Sequence, residues 1–152
     1  MYDAMYDEET IYERLAKELL DQFPRIGGSV MPLVRNTAHG EMGVIRALYM
    51  SETKTLTPSE LADYVHVSSA RVANILRRLE EKGLITRSHS EDDRRRVDVR
   101  LTLSGFELAD DHRKRRDAAI ARYLKKLGEH DASELVRIMR RTGDLMEDGE
   151  AE

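Results

Sequence analysis

A mainly α-helical fold with one small β-hairpin is the class this sequence predicts, on three observations. Apolar residues recur at i, i+3, i+4 and i+7 through most of the 152-residue chain, as in Val72, Ile75, Leu76 and Leu79. Strand-like alternation is cleanest over 97–101, where Val97, Val99 and Leu101 oppose Asp98 and Arg100. Helix punctuation brackets the hairpin, with Gly83 before it and a Ser104-Gly105-Phe106-Glu107 start signal after it. The length fits one domain. With 40% hydrophobic and 36% charged residues, a modest core under a heavily charged surface is expected.

Taken in order, Ile11, Leu15, Leu19, Phe23 and Ile26 mark a long helix over 8–35, kinked or broken near 24–32 by Pro24, Gly27, Gly28 and Pro32. Val44, Ile45, Leu48 and Tyr49 mark a second helix over 41–52. In Thr57-Pro58-Ser59-Glu60 a hydroxyl can cap free N–H groups, proline suits the first turn and glutamate completes a capping box. A short helix to about Tyr64 follows. Ser68 opens the next, which Gly83 ends. Residues 84–89 and 97–101 form two strands around the charged loop Glu91-Asp92-Asp93-Arg94-Arg95-Arg96. A helix from Ser104 runs to about Leu127, stopped by Gly128. Asp131 and Glu134 open a last helix, which frays from Glu147 into an acidic tail.

Several function classes drop out. No apolar run approaches the roughly 20 residues of a membrane span. The acidic start (Asp3, Asp7, Glu8, Glu9) is the opposite of a signal peptide, so a cytoplasmic protein is expected. The absence of cysteine excludes disulfides, thiolate zinc sites and thiol redox sensing. No nucleophile elbow, phosphate loop or metal triad points to an enzyme, and no cofactor is expected. The five histidines (His39, His66, His89, His112, His130) show no H-x-x-x-H or H-E-x-x-H spacing. His39 and His112 could approach one another, but no metal site is expected.

The net charge of −4 hides a local footprint: residues 66–103 sum to +3, between flanks of −5 and −2. Short helix, tight turn, helix, hairpin is a helix-turn-helix followed by a wing. The second helix of such a pair lies in the DNA major groove, whose width of roughly 12 Å admits one helix. If Val72, Ile75, Leu76 and Leu79 face the protein, Ser69, Ala70, Arg71, Ala73 and Asn74 face base edges. Arginine suits guanine O6/N7, asparagine suits adenine N6/N7, and small residues allow close approach. Arg77 and Arg78 lie further along, where the phosphate backbone rises. Thr57, Ser68 and Arg87 complete the phosphate candidates. A charge run is most often a solvated loop. Between two strands after a helix-turn-helix, Arg94, Arg95 and Arg96 become wing-tip candidates for the minor groove, with Asp93 placed to orient Arg95 by a charge-assisted hydrogen bond.

The stretch Leu61–Leu108 (LADYVHVSSARVANILRRLEEKGLITRSHSEDDRRRVDVRLTLSGFEL) resembles the winged helix-turn-helix of the MarR family of bacterial transcription regulators. The resemblance is carried by L-A-x-x-V-x-V-S, R-L-E-x-K-G-L-I-x-R, D-D-R-R and L-T-x-x-G. The family's D-x-R wing motif falls on Asp93 and Arg95. Arg71 and Ala73 stand where the family often has threonine, so base preference is left open. The resemblance implies a homodimer, with 1–40 and 105–147 as dimerisation helices, 41–104 as the DNA-binding unit and 148–152 as an acidic tail. Apolar stripes on those helices exceed what one winged domain could cover, so a partner chain is physically reasonable. A two-fold dimer implies a near-palindromic site on double-stranded DNA, with recognition helices about 34 Å apart. It further implies a repressor that releases DNA when a small molecule binds near His39, Met42, Arg46, Phe106 and Arg113. The competing function is a winged-helix protein–protein assembly module without DNA affinity. Such a module would expose apolar or acidic residues over 68–82, where this chain places arginines and asparagine.

Overall fold

The computed structural model describes residues 4–26, 40–90 and 92–149. The chain runs α1 (Ala4–Ile26), α2 (Glu41–Met50), β1 (Thr55–Leu56), α3 (Pro58–Val65), α4 (Ser69–Glu81), β2 (Ile85–His89), β3 (Val97–Leu101), α5 (Leu103–Leu127) and α6 (Glu129–Gly149). It divides into two compact units, Arg35–His112 and a helical unit of Met1–Val34 with Arg113–Glu152. None of the described helices is long and apolar enough to cross a membrane.

In the winged unit, α2, α3 and α4 bury Val44, Ile45, Leu48, Leu61, Val65, Val72, Ile75, Leu76 and Leu79 against Ile85 of β2 and Val99 of β3. Truncating one of these to alanine costs about 2–5 kcal/mol, because the cavity relaxes only in part. The capping box predicted at Thr57 is present. The Thr57 hydroxyl accepts from the Glu60 N–H at 3.2 Å, and the Glu60 carboxylate accepts from the Thr57 N–H at 2.7 Å. That contact holds the Glu60 carboxyl below the usual range, with the nearby Arg96 charge acting in the same direction. His66, left-handed at φ 53°, ends α3 and turns the chain into α4, which Ser68 caps through the Arg71 N–H at 3.3 Å. Gly83, at φ +70°, provides the expected stop after α4.

The sheet differs from the two-strand expectation. It has three antiparallel strands in the order β1-β3-β2, with Thr55 opposite Arg100, Leu56 opposite Val99, and Ile85 opposite Leu101 through His89 opposite Val97. Asp98, set by the alternation on the face opposite Val99, is buried, while Arg100 on that face is exposed.

The start of α5 is also corrected. Thr102, not Ser104, is the cap: its hydroxyl accepts from the Gly105 N–H at 3.1 Å and donates to the Gly83 carbonyl at 2.6 Å. Gly105 sits so close to the turn that a Cβ would fall 2.0 Å from the Leu84 carbonyl oxygen. No side chain fits there without moving backbone.

In the helical unit, Tyr12, Leu15, Ala16 and Leu19 of α1 pack with Leu124 of α5 and Ala132 and Val136 of α6. Arg25 binds α1 to the end of α6, donating to Glu147 and Asp144 at 2.6 Å each and to Gln22 at 2.8 Å. Residue 147 therefore lies within α6 rather than in a frayed tail, and the Arg25 guanidinium holds the Glu147 carboxyl below the usual range. α1 begins before residue 8 and passes through Pro24 to Ile26; the rest of the break expected near 24–32, residues 27–32, lies outside those described. Gly128 is left-handed at φ +85°, as expected of the stop between α5 and α6. α6 starts at Glu129, ahead of the predicted Asp131.

Candidate nucleic-acid interface

The sequence of α4 sorts itself by face. Val72, Ile75, Leu76 and Leu79 are buried, while Ser69, Ala70, Arg71, Ala73, Asn74, Arg77 and Arg78 are all exposed. One helix face thus anchors in the core and the other offers two small residues at its start and arginines beyond. A concavity of about 440 Å³ opens along this face, lined by Arg71, Asn74, Ile75, Arg77 and Arg78 together with Gly40 and Glu41 of the α2 start. Within it the Arg77 guanidinium donates to the Asn74 side-chain oxygen at 3.4 Å, which leaves the Asn74 amide group facing away from that bond. Arg71 and Arg78 have no ion-pair partner among the described residues.

The phosphate candidates divide. Ser68 uses its hydroxyl oxygen as an acceptor for the cap and keeps its O–H for an outside acceptor. Thr57 spends both hydroxyl functions inside the capping box, accepting from the Glu60 N–H at 3.2 Å and donating to the Glu60 carboxylate at 2.9 Å. Arg87 on β2 is turned onto Glu80 of α4, with Nε donating to the carboxylate at 3.0 Å. That pair raises the arginine pKa and lowers the glutamate pKa.

At the wing, Asp93 shapes the turn through the backbone, where an arginine guanidinium was the expected partner. Its carboxylate accepts from the Arg95 N–H at 2.9 Å, and its carbonyl accepts from the Arg96 N–H at 2.9 Å. The Ser90 N–H donating to the Arg96 carbonyl at 2.9 Å closes the loop. Arg94 and Arg95 are exposed, with no ion-pair partner among the described residues, whereas Arg96 Nε donates to Asp98 at 2.9 Å. The pairings of Arg87 and Arg96 were invisible in the sequence.

The residues named for an effector have separate placements. Met42 packs against the winged core, Arg46 is exposed on α2, and His39 lies outside the described residues. Phe106 stacks on Tyr49 with ring centroids 5.1 Å apart, and the Tyr49 hydroxyl donates to Asp110 at 2.9 Å. Tyr49 was read from sequence only as an apolar helix position; its hydroxyl is what that pattern concealed. In the helical unit, Arg113 donates to Asp117 at 3.2 Å. Among the described residues no three histidine or carboxylate groups gather into a metal cluster.

Comparison with known proteins converges on one group. The family model described as "MarR family" matches residues 40–97. The chain is 26% identical to the HTH-type transcriptional repressor MdtR of Bacillus subtilis over 99% of this chain and 90% of that one. It is 23% identical to the repressor YetL of the same organism, over 74% of this chain and 66% of that one. Among solved structures, YusO of Bacillus subtilis superposes with a TM-score of 0.60 at 26% identity, over 95% and 94% of the two chains. FabT of Streptococcus pneumoniae, solved in complex with DNA, superposes with a TM-score of 0.59 at 27% identity, over 71% and 74%.

Proposed function

The chain belongs to the MarR family of winged helix-turn-helix transcription regulators, and from that premise we propose that it is a homodimeric, sequence-specific DNA-binding repressor released by a small-molecule effector. As a member of that family it is a transcription regulator and not an enzyme.

One observation carries the DNA reading: on α4 and at the wing tip, Arg71, Arg78, Arg94 and Arg95 are exposed without a carboxylate partner among the described residues, beside Asn74. Cations left open on one helix and one β-turn are what a polyanion neutralises, releasing its counterions. Ser69, Ala70, Arg71, Ala73 and Asn74 read base edges in the major groove. Ser68, Arg77 and Arg78 hold phosphates. Arg94 and Arg95 enter the minor groove. The DNA complex of FabT supports this assignment by analogy of fold.

The unit over 41–104 takes the DNA, and 1–40 with 105–147 form the dimer, so the site is near-palindromic with half-sites about 34 Å apart. Repression is supported by the names of MdtR and YetL. Release by an effector at His39, Met42, Arg46, Phe106 and Arg113 rests on the family resemblance; a ligand-bound crystal structure with density elsewhere would overturn it. The protein acts in the cytoplasm, where its DNA is.

Selection of duplexes from a randomised pool tests the DNA reading. It predicts enrichment of a near-palindrome with half-sites about one helical turn apart. A pool that stays unenriched, with no salt-sensitive binding to any duplex, would leave the assembly module as the better description.

A further inference from the structure

We propose that Arg96, the third wing arginine, is a positioning residue that braces the wing turn onto the base of β3, not a ligand for DNA. The inference rests on the DNA-binding reading above and deepens it.

Three features place the brace. Arg96 immediately precedes β3 and lies two residues from Asp98, which alternates along the strand with the buried Val99. The Asp98 side chain is only 11% exposed, against 48% for Arg96, and its carboxylate accepts the Arg96 Nε–H at 2.9 Å. A carboxylate at that depth needs its cation, and removing the arginine leaves it uncompensated. Arg100 on the same face donates to the Thr55 hydroxyl at 3.0 Å, which ties the other end of β3 to the segment leading into α3.

The wing therefore has two kinds of arginine. Arg94 and Arg95 project from a turn closed by Asp93 and Ser90. Arg96 turns back onto Asp98 at the base of that turn. A braced wing presents its two free guanidinium groups already oriented, so less freedom is lost when they bind.

Asp98→Asn separates a brace from a ligand by sign. If Arg96 were a phosphate ligand, removing the carboxylate would free it and add one unit of positive charge, so duplex affinity would rise or hold. A brace predicts the reverse, a loss of about fivefold on the duplex selected above, with most of the loss absent in an Arg95→Ala background because the two changes act on one contact. A second readout needs no DNA: trypsin cleavage after Arg94 and Arg95 in the free full-length protein should quicken about fivefold in Asp98→Asn as the loop opens more often.

Parental or tighter affinity together with parental proteolysis would overturn the brace. Failure of the parent to bind any duplex would sink the regulator reading instead, and the proteolysis would still decide the brace. Should Asp98→Asn melt more than about 5 °C below the parent, Arg96→Ala at its half-exposed position carries the same tests: the brace requires faster cleavage after Arg94 and Arg95 and a loss of affinity that vanishes with Arg95→Ala, and strict additivity contradicts it.

Discussion

α4 and the wing tip leave arginines open, whereas α5 and α6, beside their charged residues, leave large apolar side chains open. Arg71, Arg78, Arg94 and Arg95 stand open, while Leu76, Leu79 and Val99 beneath them are fully buried. On the two C-terminal helices the exposed large side chains include Leu103, Phe106, Tyr123, Ile138 and Leu145. There the arginines are often already satisfied, with Arg137 on Glu134, Arg140 on Glu18 and Arg116 on Asp117. The winged unit has a complete core and open arginines on α4 and at the wing tip, which call for a polyanion. The C-terminal helices expose large apolar side chains, which call for another protein surface, the role a second copy would fill in the proposed homodimer.

The contrast can be broken most severely on its apolar side. Ile138→Glu with Leu145→Glu places two carboxylates where the contrast requires a dry contact. Sedimentation should show monomers, and duplex affinity should fall about 100-fold or more as the second half-site is lost. A dimer with parental affinity would show that these side chains face solvent in the assembly.

Gly105→Ala tests the joint at which α5 leaves the winged unit. Its Cβ would overlap the Leu84 carbonyl oxygen, so urea unfolding should show a loss of about 3 kcal/mol, at the upper end of overpacking penalties. A loss under about 0.5 kcal/mol would mean that the α5 start is not seated on the turn.

On the charged side, Arg71→Ala and Asn74→Ala should each cost about 1–3 kcal/mol on the preferred duplex and relax preference at one base position. Equal losses on all sequences would move these residues to the phosphate class.

The smallest effect lies beneath both surfaces. Thr57→Ala should cost about 1 kcal/mol at neutral pH by removing the cap on α3. The folded-state carboxyl of Glu60 titrates below its unfolded value, so its contribution is complete above about pH 4.3 and is lost as pH falls through that range and the lower folded value. The difference between parent and variant in urea midpoint should therefore shrink at low pH, and a difference that grows there would contradict the capping role.

How much of this was legible in the sequence depended on how local the cause was. The faces of α4, the Thr57 capping box and the stops at Gly83 and Gly128 each follow from residues within a few positions of one another, and each was readable. β1 was missed because two residues carry no alternation and become a strand only beside Val99 and Arg100, more than forty positions on. Thr102 displaced Ser104 as a cap because the Gly83 carbonyl, distant in sequence, tethers its hydroxyl. The period-2 pattern put Asp98 on the face opposite Val99, but its burial there and its pairing with Arg96 could not be read from that pattern. Ion pairing was the least legible level. Charge counting treated Arg87 and Arg96 as equal to Arg94 and Arg95, although carboxylates claim the first two.

The central claim is that particular open arginines meet a polyanion, and the salt dependence of duplex affinity tests it most directly. Plotted as log affinity against log salt, the parent should fall steeply, and Arg94→Ala and Arg95→Ala should each shallow the slope by about 1, while Arg87→Ala leaves it nearly unchanged. A flat parental slope, or slopes equal across all three variants, would contradict it.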